Sequence, residues 1–146
     1  MDKINDSAMV ALLPTTSNWC NIDLPHTTLV YVGKIAQLEP TIREELVKIV
    51  SNLVLLAPPF TLKVSAVQKY GEEEPVDVLT LIRTPELMAL RSFLEDWDNG
   101  EFPDYNPHAT IGPLGSFRGE IPLTLSFDKI LVSWGEDDQT FPLRNY

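Results

Sequence analysis

The chain has 146 residues, a formal net charge of −10 and one cysteine, Cys20. Long nucleic acids are held mainly by Lys and Arg that neutralise phosphates, so this excess of acid argues against a general RNA or DNA binder and leaves room for a small nucleotide in a local pocket. A single cysteine excludes an internal disulfide and any Cys/His zinc spacing, and the length is that of one domain, residues 1–146, with a core of its own.

The start, Met1-Asp2-Lys3-Ile4-Asn5-Asp6, lacks the basic and apolar pattern of a secretory leader. Met9 to Leu13 is a short apolar run ended by Pro14, which predicts a buried first strand. The dozen residues from Pro14 to Pro25 form a long loop of the kind that often carries function. Trp19 sits in it, either shaping a pocket or packed beneath the loop. Strict alternation from His26 to Val32 puts His26, Thr28, Val30 and Val32 on one face and Thr27, Leu29 and Tyr31 on the other, with Gly33 ending the strand and Lys34 as a solvated charge.

A helix is expected to start near Pro40, where the missing N–H costs nothing. Ile42, Leu46, Ile49, Val50 and Leu53 give it an apolar stripe, Glu44 and Lys48 a favourable i,i+4 pair, and Pro58-Pro59 an end. Its apolar stretch, Ile49 to Phe60, is interrupted by Ser51, Asn52 and the two prolines and is too short to cross a bilayer. No membrane is expected, and the cytoplasm is the expected location. Phe60 to Lys69 alternates as a half-buried strand and pairs with Val76 to Ile82 across the acidic turn Gly71-Glu72-Glu73-Glu74-Pro75. Thr84-Pro85-Glu86 begins a second helix, with Leu87, Leu90, Leu94 and Trp97 as its buried stripe and Asp98-Asn99-Gly100 as its stop. Phe127 to Trp134 and Thr140 to Leu143 read as final strands around the polar turn Gly135-Glu136-Asp137-Asp138.

Two stretches stand apart. The only histidines, His26 and His108, each follow a proline, each precede a threonine by two positions and each open an apolar run: Pro25-His26-Thr27-Thr28-Leu29-Val30 and Pro107-His108-Ala109-Thr110-Ile111-Gly112. On a strand, residues i and i+2 share a face, so each motif presents an imidazole beside a hydroxyl. Two such pairs suit one phosphate. Breaking a P–O bond takes a base for the attacking oxygen and an acid for the departing one, roles two histidines fill near neutral pH without a metal. Threonine hydroxyls donate to the non-bridging oxygens, where charge builds.

On these motifs the sequence resembles the 2H phosphoesterases, whose two His-x-Thr/Ser motifs, order and spacing it matches from roughly Met9 to Leu143. The resemblance implies an α+β fold of two similar lobes, with antiparallel sheets forming a concave cleft, helices packed outside and the motifs on central strands. It implies a hydrolase with His26 and His108 as acid and base, in an order left open, Thr28 and Thr110 as phosphate clamps, and no cofactor or metal.

Family substrates include 2′,3′-cyclic phosphate RNA ends, cyclic ADP-ribose phosphate, 2′,5′-oligoadenylates and, for phage enzymes, the cyclic oligonucleotide messengers of CBASS defence. The acidic balance and a C-terminal acid, aromatic and Pro-Leu favour the last: a cyclic di- or trinucleotide phosphodiesterase of a phage, acting in the host cytoplasm. By that resemblance Glu136 accepts from a base edge and Phe141 stacks on a base; an exposed turn acid and a core aromatic are the plainer alternatives. Trp134 and Tyr105 are further stacking candidates, and Arg118, Lys129 and Arg144 are candidates for a second phosphate or ordinary surface charge. An RNA-end or 2′,5′-oligoadenylate phosphodiesterase is the alternative substrate class. A nucleotide-binding sponge without turnover is the alternative of another kind.

Overall fold

The computed structural model describes residues 6–100 and 104–144; the leader comparison over Met1 to Asn5 and the loop positions Glu101 to Pro103 lie outside them. Seven strands and two helices follow in the order β1 (Ser7–Pro14), β2 (Thr27–Lys34), α1 (Pro40–Leu53), β3 (Phe60–Tyr70), β4 (Val76–Leu81), α2 (Pro85–Ser92), β5 (His108–Pro113), β6 (Thr124–Trp134) and β7 (Asp137–Pro142). Short 3-10 turns stand at Ile35–Gln37 and Glu95–Trp97.

Both helices start at a proline, as the sequence predicts. Pro40 opens α1, which buries Leu46, Val50 and Leu53 along one stripe. Thr84 caps α2, its hydroxyl accepting from the Leu87 N–H at 3.2 Å. The second helix ends sooner than expected: Trp97 belongs to the following 3-10 turn and is only half-buried. Glu44 and Lys48 do not pair; the i,i+4 contact found is Arg91 with Glu95, at 4.0 Å.

All strand pairings are antiparallel, and the hydrogen-bonded order is β2-β1-β6-β3-β4-β5, with β7 on the remaining part of β6. β3 ties the halves together, because its start, Phe60 to Lys63, pairs with β6 and its remainder, Val64 to Tyr70, pairs with β4. One lobe is therefore β2-β1-β6-β7, with α1 on β6, and the other is β3-β4-β5, whose following helix α2 packs across on β2. The strand expected to alternate from Phe60 to Lys69 does so only at Phe60, Leu62 and Val64; beyond that point it has crossed into the second lobe and both of its faces are largely exposed. The final turn is tighter than expected, since Asp137 already pairs with Trp134.

The two ends of the path, β2 and β5, lie against each other, so the sheet has curled until its terminal strands meet. The motif of His108 and Thr110 lies on β5, whereas in the other only Thr28 is on β2 and His26 stands just before the strand expected to begin with it. Both strands are central to the molecule but terminal in the hydrogen-bonded order, which differs from the central strands expected. The core lies on the helix side of the sheet, where Val10, Leu12, Val30, Leu62, Phe127 and Ile130 meet Leu46, Val50, Leu87 and Leu90.

Candidate active site

Each motif strand carries a bulge directly after its threonine, and β2 has a second one at Val32, where the register steps from Ala8↔Gly33 to Met9↔Tyr31. In β2 the register runs Val10↔Val30 and then Ala11↔Thr28, leaving Leu29 as the extra residue; in β5 it runs Asp77↔Gly112 and then Val78↔Thr110, leaving Ile111 extra. Leu29 and Ile111 are both 1 % exposed. A bulge resets the alternation of side chains, so a hydroxyl and the apolar residue after it can both be well placed. This corrects the strict alternation of the sequence: Thr28 faces the cleft together with Tyr31, whereas Val30 and Val32 go into the core.

The histidines are held alike. His26 Nδ1 lies 2.9 Å from the Leu24 carbonyl oxygen, and His108 Nδ1 lies 2.8 Å from that of Asn106. A carbonyl only accepts, so each Nδ1 carries the proton, and each Nε2 is left with a lone pair in the neutral ring or an N–H in the charged one. The chain near these carbonyls is anchored. Pro107 O accepts from Leu81 N at 3.0 Å, and the loop before His26 is docked on the other motif, with Asn21 N donating to Ile111 O at 2.9 Å and Asn21 Nδ2 to Ser116 Oγ at 3.0 Å. Gly112 makes that docking possible: a Cβ there would collide with the Asn21 side-chain oxygen, and its φ of +154° is one that L side chains rarely adopt.

Thr28 and His108 line one cavity of about 580 Å3. Its other walls are Leu29, Tyr31, Tyr70, Arg91, Tyr105 and Asn106, with Asp98 and Asp104 at the side. His26 and Thr110, each two residues away along the chain, are half-buried and do not line it. The Thr28 hydroxyl donates only to the Met9 sulfur, at 3.7 Å, a weak acceptor that a phosphate oxygen would outcompete. The Tyr70 ring packs on His108 with centroids 4.8 Å apart and planes tilted by 58°.

The outer edge of β2 has no strand neighbour, and groups from the second lobe satisfy it. Tyr105 Oη donates to Thr28 O at 2.9 Å, and Arg91 Nε to Leu29 O at 3.1 Å. Further along, Asn99 N donates to Tyr31 O at 2.9 Å while Asp98 Oδ1 accepts from Tyr31 N at 3.2 Å. Backbone groups on a bare edge would otherwise need water or a foreign strand. The Arg91 guanidinium also lies 4.4 Å above the Tyr105 ring centroid. Burial pushes the Tyr105 phenol well above its ordinary pKa, against a smaller opposing pull from Arg91, so Tyr105 is a neutral donor throughout the physiological range.

Among the expected substrate contacts, Tyr105 lines the cavity. Trp19 does not: it is 1 % exposed and packed under its loop, with Nε1 donating to Thr16 O at 2.9 Å. Trp134 and Phe141 are half-buried and pack on the core, because their strand partners Ala8 and Ile130 point to the helix side. Glu136 is exposed at the β6–β7 turn. Arg118 and Arg144 are exposed, Lys129 pairs with Asp128 at 3.6 Å, and none of the three borders the cavity. Tyr31, Tyr70, Arg91 and Asn106 were not anticipated. Arg91 comes from α2 and Tyr70 from the end of β3, and only the meeting of the two lobes gives them a place at the site. Among the described residues no group of three or more His, Cys, Asp or Glu could hold a metal ion, and no helix is long and apolar enough to cross a membrane.

No family model and no curated protein matches the sequence. Solved structures do match over nearly the whole chain. Thermus thermophilus TT0787 superposes with a TM-score of 0.65 at 14% identity, covering 95% of this chain and 98% of that one. Kluyveromyces marxianus Usb1 gives 0.67 at 11%, covering 94% and 98%, and E. coli LigT complexed with phosphate gives 0.50 at 16%, covering 97% and 96%. The chain has the fold of the 2H phosphoesterases.

Proposed function

We propose that this protein is a metal-independent phosphodiesterase that cleaves small nucleotides, with cyclic oligonucleotide messengers as its substrates and a phage's escape from CBASS defence as its role. The observation that carries the proposal is the cavity shared by Thr28 and His108, which joins one half of each motif in a single space. The matched hold on His26 and His108 supports it, since both rings are oriented to offer Nε2. So does the fold, one of whose bearers, E. coli LigT, has been crystallised with 3′-AMP. The net charge of −10 favours a compact soluble substrate over long RNA.

In the proposed reaction, Nε2 of one neutral histidine takes the proton of the ribose 2′-OH. That oxygen bonds to the adjacent phosphorus, the P–O5′ bond breaks, and the other histidine gives its Nε2 proton to the departing O5′. The products are a 2′,3′-cyclic phosphate and a free 5′-hydroxyl. Thr28 and Thr110 donate to the non-bridging oxygens, where charge gathers in the transition state.

The test is incubation of the purified protein, in excess chelator, with cyclic di- and trinucleotides, 2′,5′-oligoadenylate and an RNA ending in a 2′,3′-cyclic phosphate, products being read by chromatography and mass. Cleavage of the cyclic oligonucleotides should fall about 10²–10⁴-fold in His26→Ala and in His108→Ala, the usual contribution of a general acid or base. Undiminished activity in either variant would sink the mechanism. Turnover confined to the RNA end or the 2′,5′ oligomer would move the substrate. Binding without turnover would leave a sponge.

A further inference from the structure

Antiparallel pairing sets Thr80 of β4 directly opposite His108, and on the next strand Ala66 opposite Thr80 and Gln68 opposite Val78. The face that carries His108 therefore continues without a break across β4 onto β3. On this continuation lies a second cavity, of about 600 Å3, and two of its wall residues, Tyr70 and Asn106, are also walls of the cavity holding Thr28 and His108. The two spaces adjoin across a tyrosine and an asparagine.

The second cavity differs in chemistry from the first. Ser65, Gln68, Thr80 and Arg83 line it, and Arg83 is the one charged residue among its described walls. Thr80 Oγ1 is bonded to Ala66 O at 3.2 Å, whereas the side chains of Ser65, Gln68 and Arg83 have no hydrogen-bond or ion-pair partner among the described residues. An arginine that no described carboxylate pairs with, in a chain of net charge −10, is a local positive centre beside the site. Its planar fork matches a phosphate, and the uncommitted hydroxyl and amide beside it match a ribose or base edge. Tyr70 at the shared wall offers a face on which a base can stack.

Resting on the proposed phosphodiesterase reaction, we infer that this second cavity is a subsite for the neighbouring nucleotide, with Arg83 holding its phosphate. The substrate class is then an oligonucleotide with at least two phosphates, linear or cyclic, in place of a lone cyclic mononucleotide.

The experiment compares two probes in the intact protein, each with a free 2′-OH beside the scissile phosphate: adenylyl-3′,5′-adenosine, with one phosphate, and 3′,3′-cyclic di-AMP, with two. In Arg83→Ala the ratio of kcat/KM for the second over the first should fall about tenfold, mainly through KM, and Arg83→Lys should restore part of it because it returns the charge without the fork. An unchanged ratio in both variants, with both probes still hydrolysed, overturns the subsite and leaves the proposed reaction standing. If the unmodified protein hydrolyses neither probe, the reaction fails. The ratio of the two dissociation constants by calorimetry, compared between unmodified protein and Arg83→Ala, then decides the subsite by itself: a fall supports it and constancy refutes it.

Discussion

Arg91→Ala removes the side chain that ties α2 to the motif strand β2. Arg91 makes three contacts, and they differ greatly in weight. The charged Nε–H donates to Leu29 O at 3.1 Å, and its loss leaves a carbonyl of an edge strand without that partner. The guanidinium lies 4.4 Å from the Tyr105 ring centroid. The third contact, Glu95 at 4.0 Å, is long and its carboxylate side chain is 58% exposed, so it contributes almost nothing. A hydrogen bond to a charged group and a partly desolvated cation–π contact together give a loss of about 2–4 kcal/mol. With only 14% of the Arg91 side chain exposed, little of this is returned by solvent. For a chain of this size the melting temperature should drop by about 5–12 °C. Urea unfolding followed by fluorescence is the assay, with a lower midpoint and unchanged slope as the expected signature. Arg91→Lys should recover less than half, and a double-mutant cycle with Tyr105→Leu, which removes the ring, should show coupling of about 0.5–1 kcal/mol. A loss below about 0.5 kcal/mol, the level of an ordinary surface substitution, would refute the assignment of Arg91 as a cross-lobe tie.

Tyr105 ionises in the unfolded chain near its ordinary pKa of 10.0 but is held neutral by burial in the folded one, so its stabilising contribution is complete below pH 10 and declines as the pH rises above it. Stability measured from pH 9 to 11 should fall more steeply in the unmodified protein than in Tyr105→Phe; parallel curves would contradict the burial. Gly112→Ala should cost about 2–4 kcal/mol, combining backbone strain with eviction of the Asn21 side chain, and Asn21→Ala on top should return only the steric part; full recovery or none would show that one cause acts alone. Thr27 is 0% exposed and its hydroxyl has no partner among the described residues, so Thr27→Val should stabilise the protein by about 0.5–2 kcal/mol in chemical denaturation. A destabilised Thr27→Val would reveal a bond donor or acceptor for that hydroxyl.

What the sequence made legible was whatever depends on near neighbours. Pro40, Thr84 and Pro85 mark helix starts by their own backbone chemistry, and both helices begin there. The hairpin of β3 and β4 follows from two alternating runs around an acidic turn, and its residues Glu72 to Glu74 are exposed as expected. The two His-x-Thr motifs are local patterns as well. The strand alternation failed at Leu29 because a bulge is imposed by the partner strand, and nothing within His26 to Val32 encodes it. Trp134 and Phe141 were left between base-stacking and core roles for a related reason: an aromatic that would stack on a base and one that fills a core have the same composition, and only the strand's facing decides between them. Arg91, Tyr105 and Tyr70 reach the site from α2, a loop and β3, a convergence that requires the sheet to have curled.

The pairing of β1 has a consequence for how the molecule comes into being. The second lobe is assembled from one unbroken stretch, Val64 to Pro113, whose strands pair with near neighbours. In the first lobe, β1 lies between β2 and β6, so Ser7 to Pro14 must pair with a strand synthesised more than a hundred residues later. Closing so long a loop is slow, and during synthesis β1 and β2 wait as an unsupported hairpin while the rest of the chain emerges. Thr27 and Thr28 therefore reach their final setting only after His108 and Thr110 have been made, and the two halves of the site are completed together, late, when β6 closes the sheet.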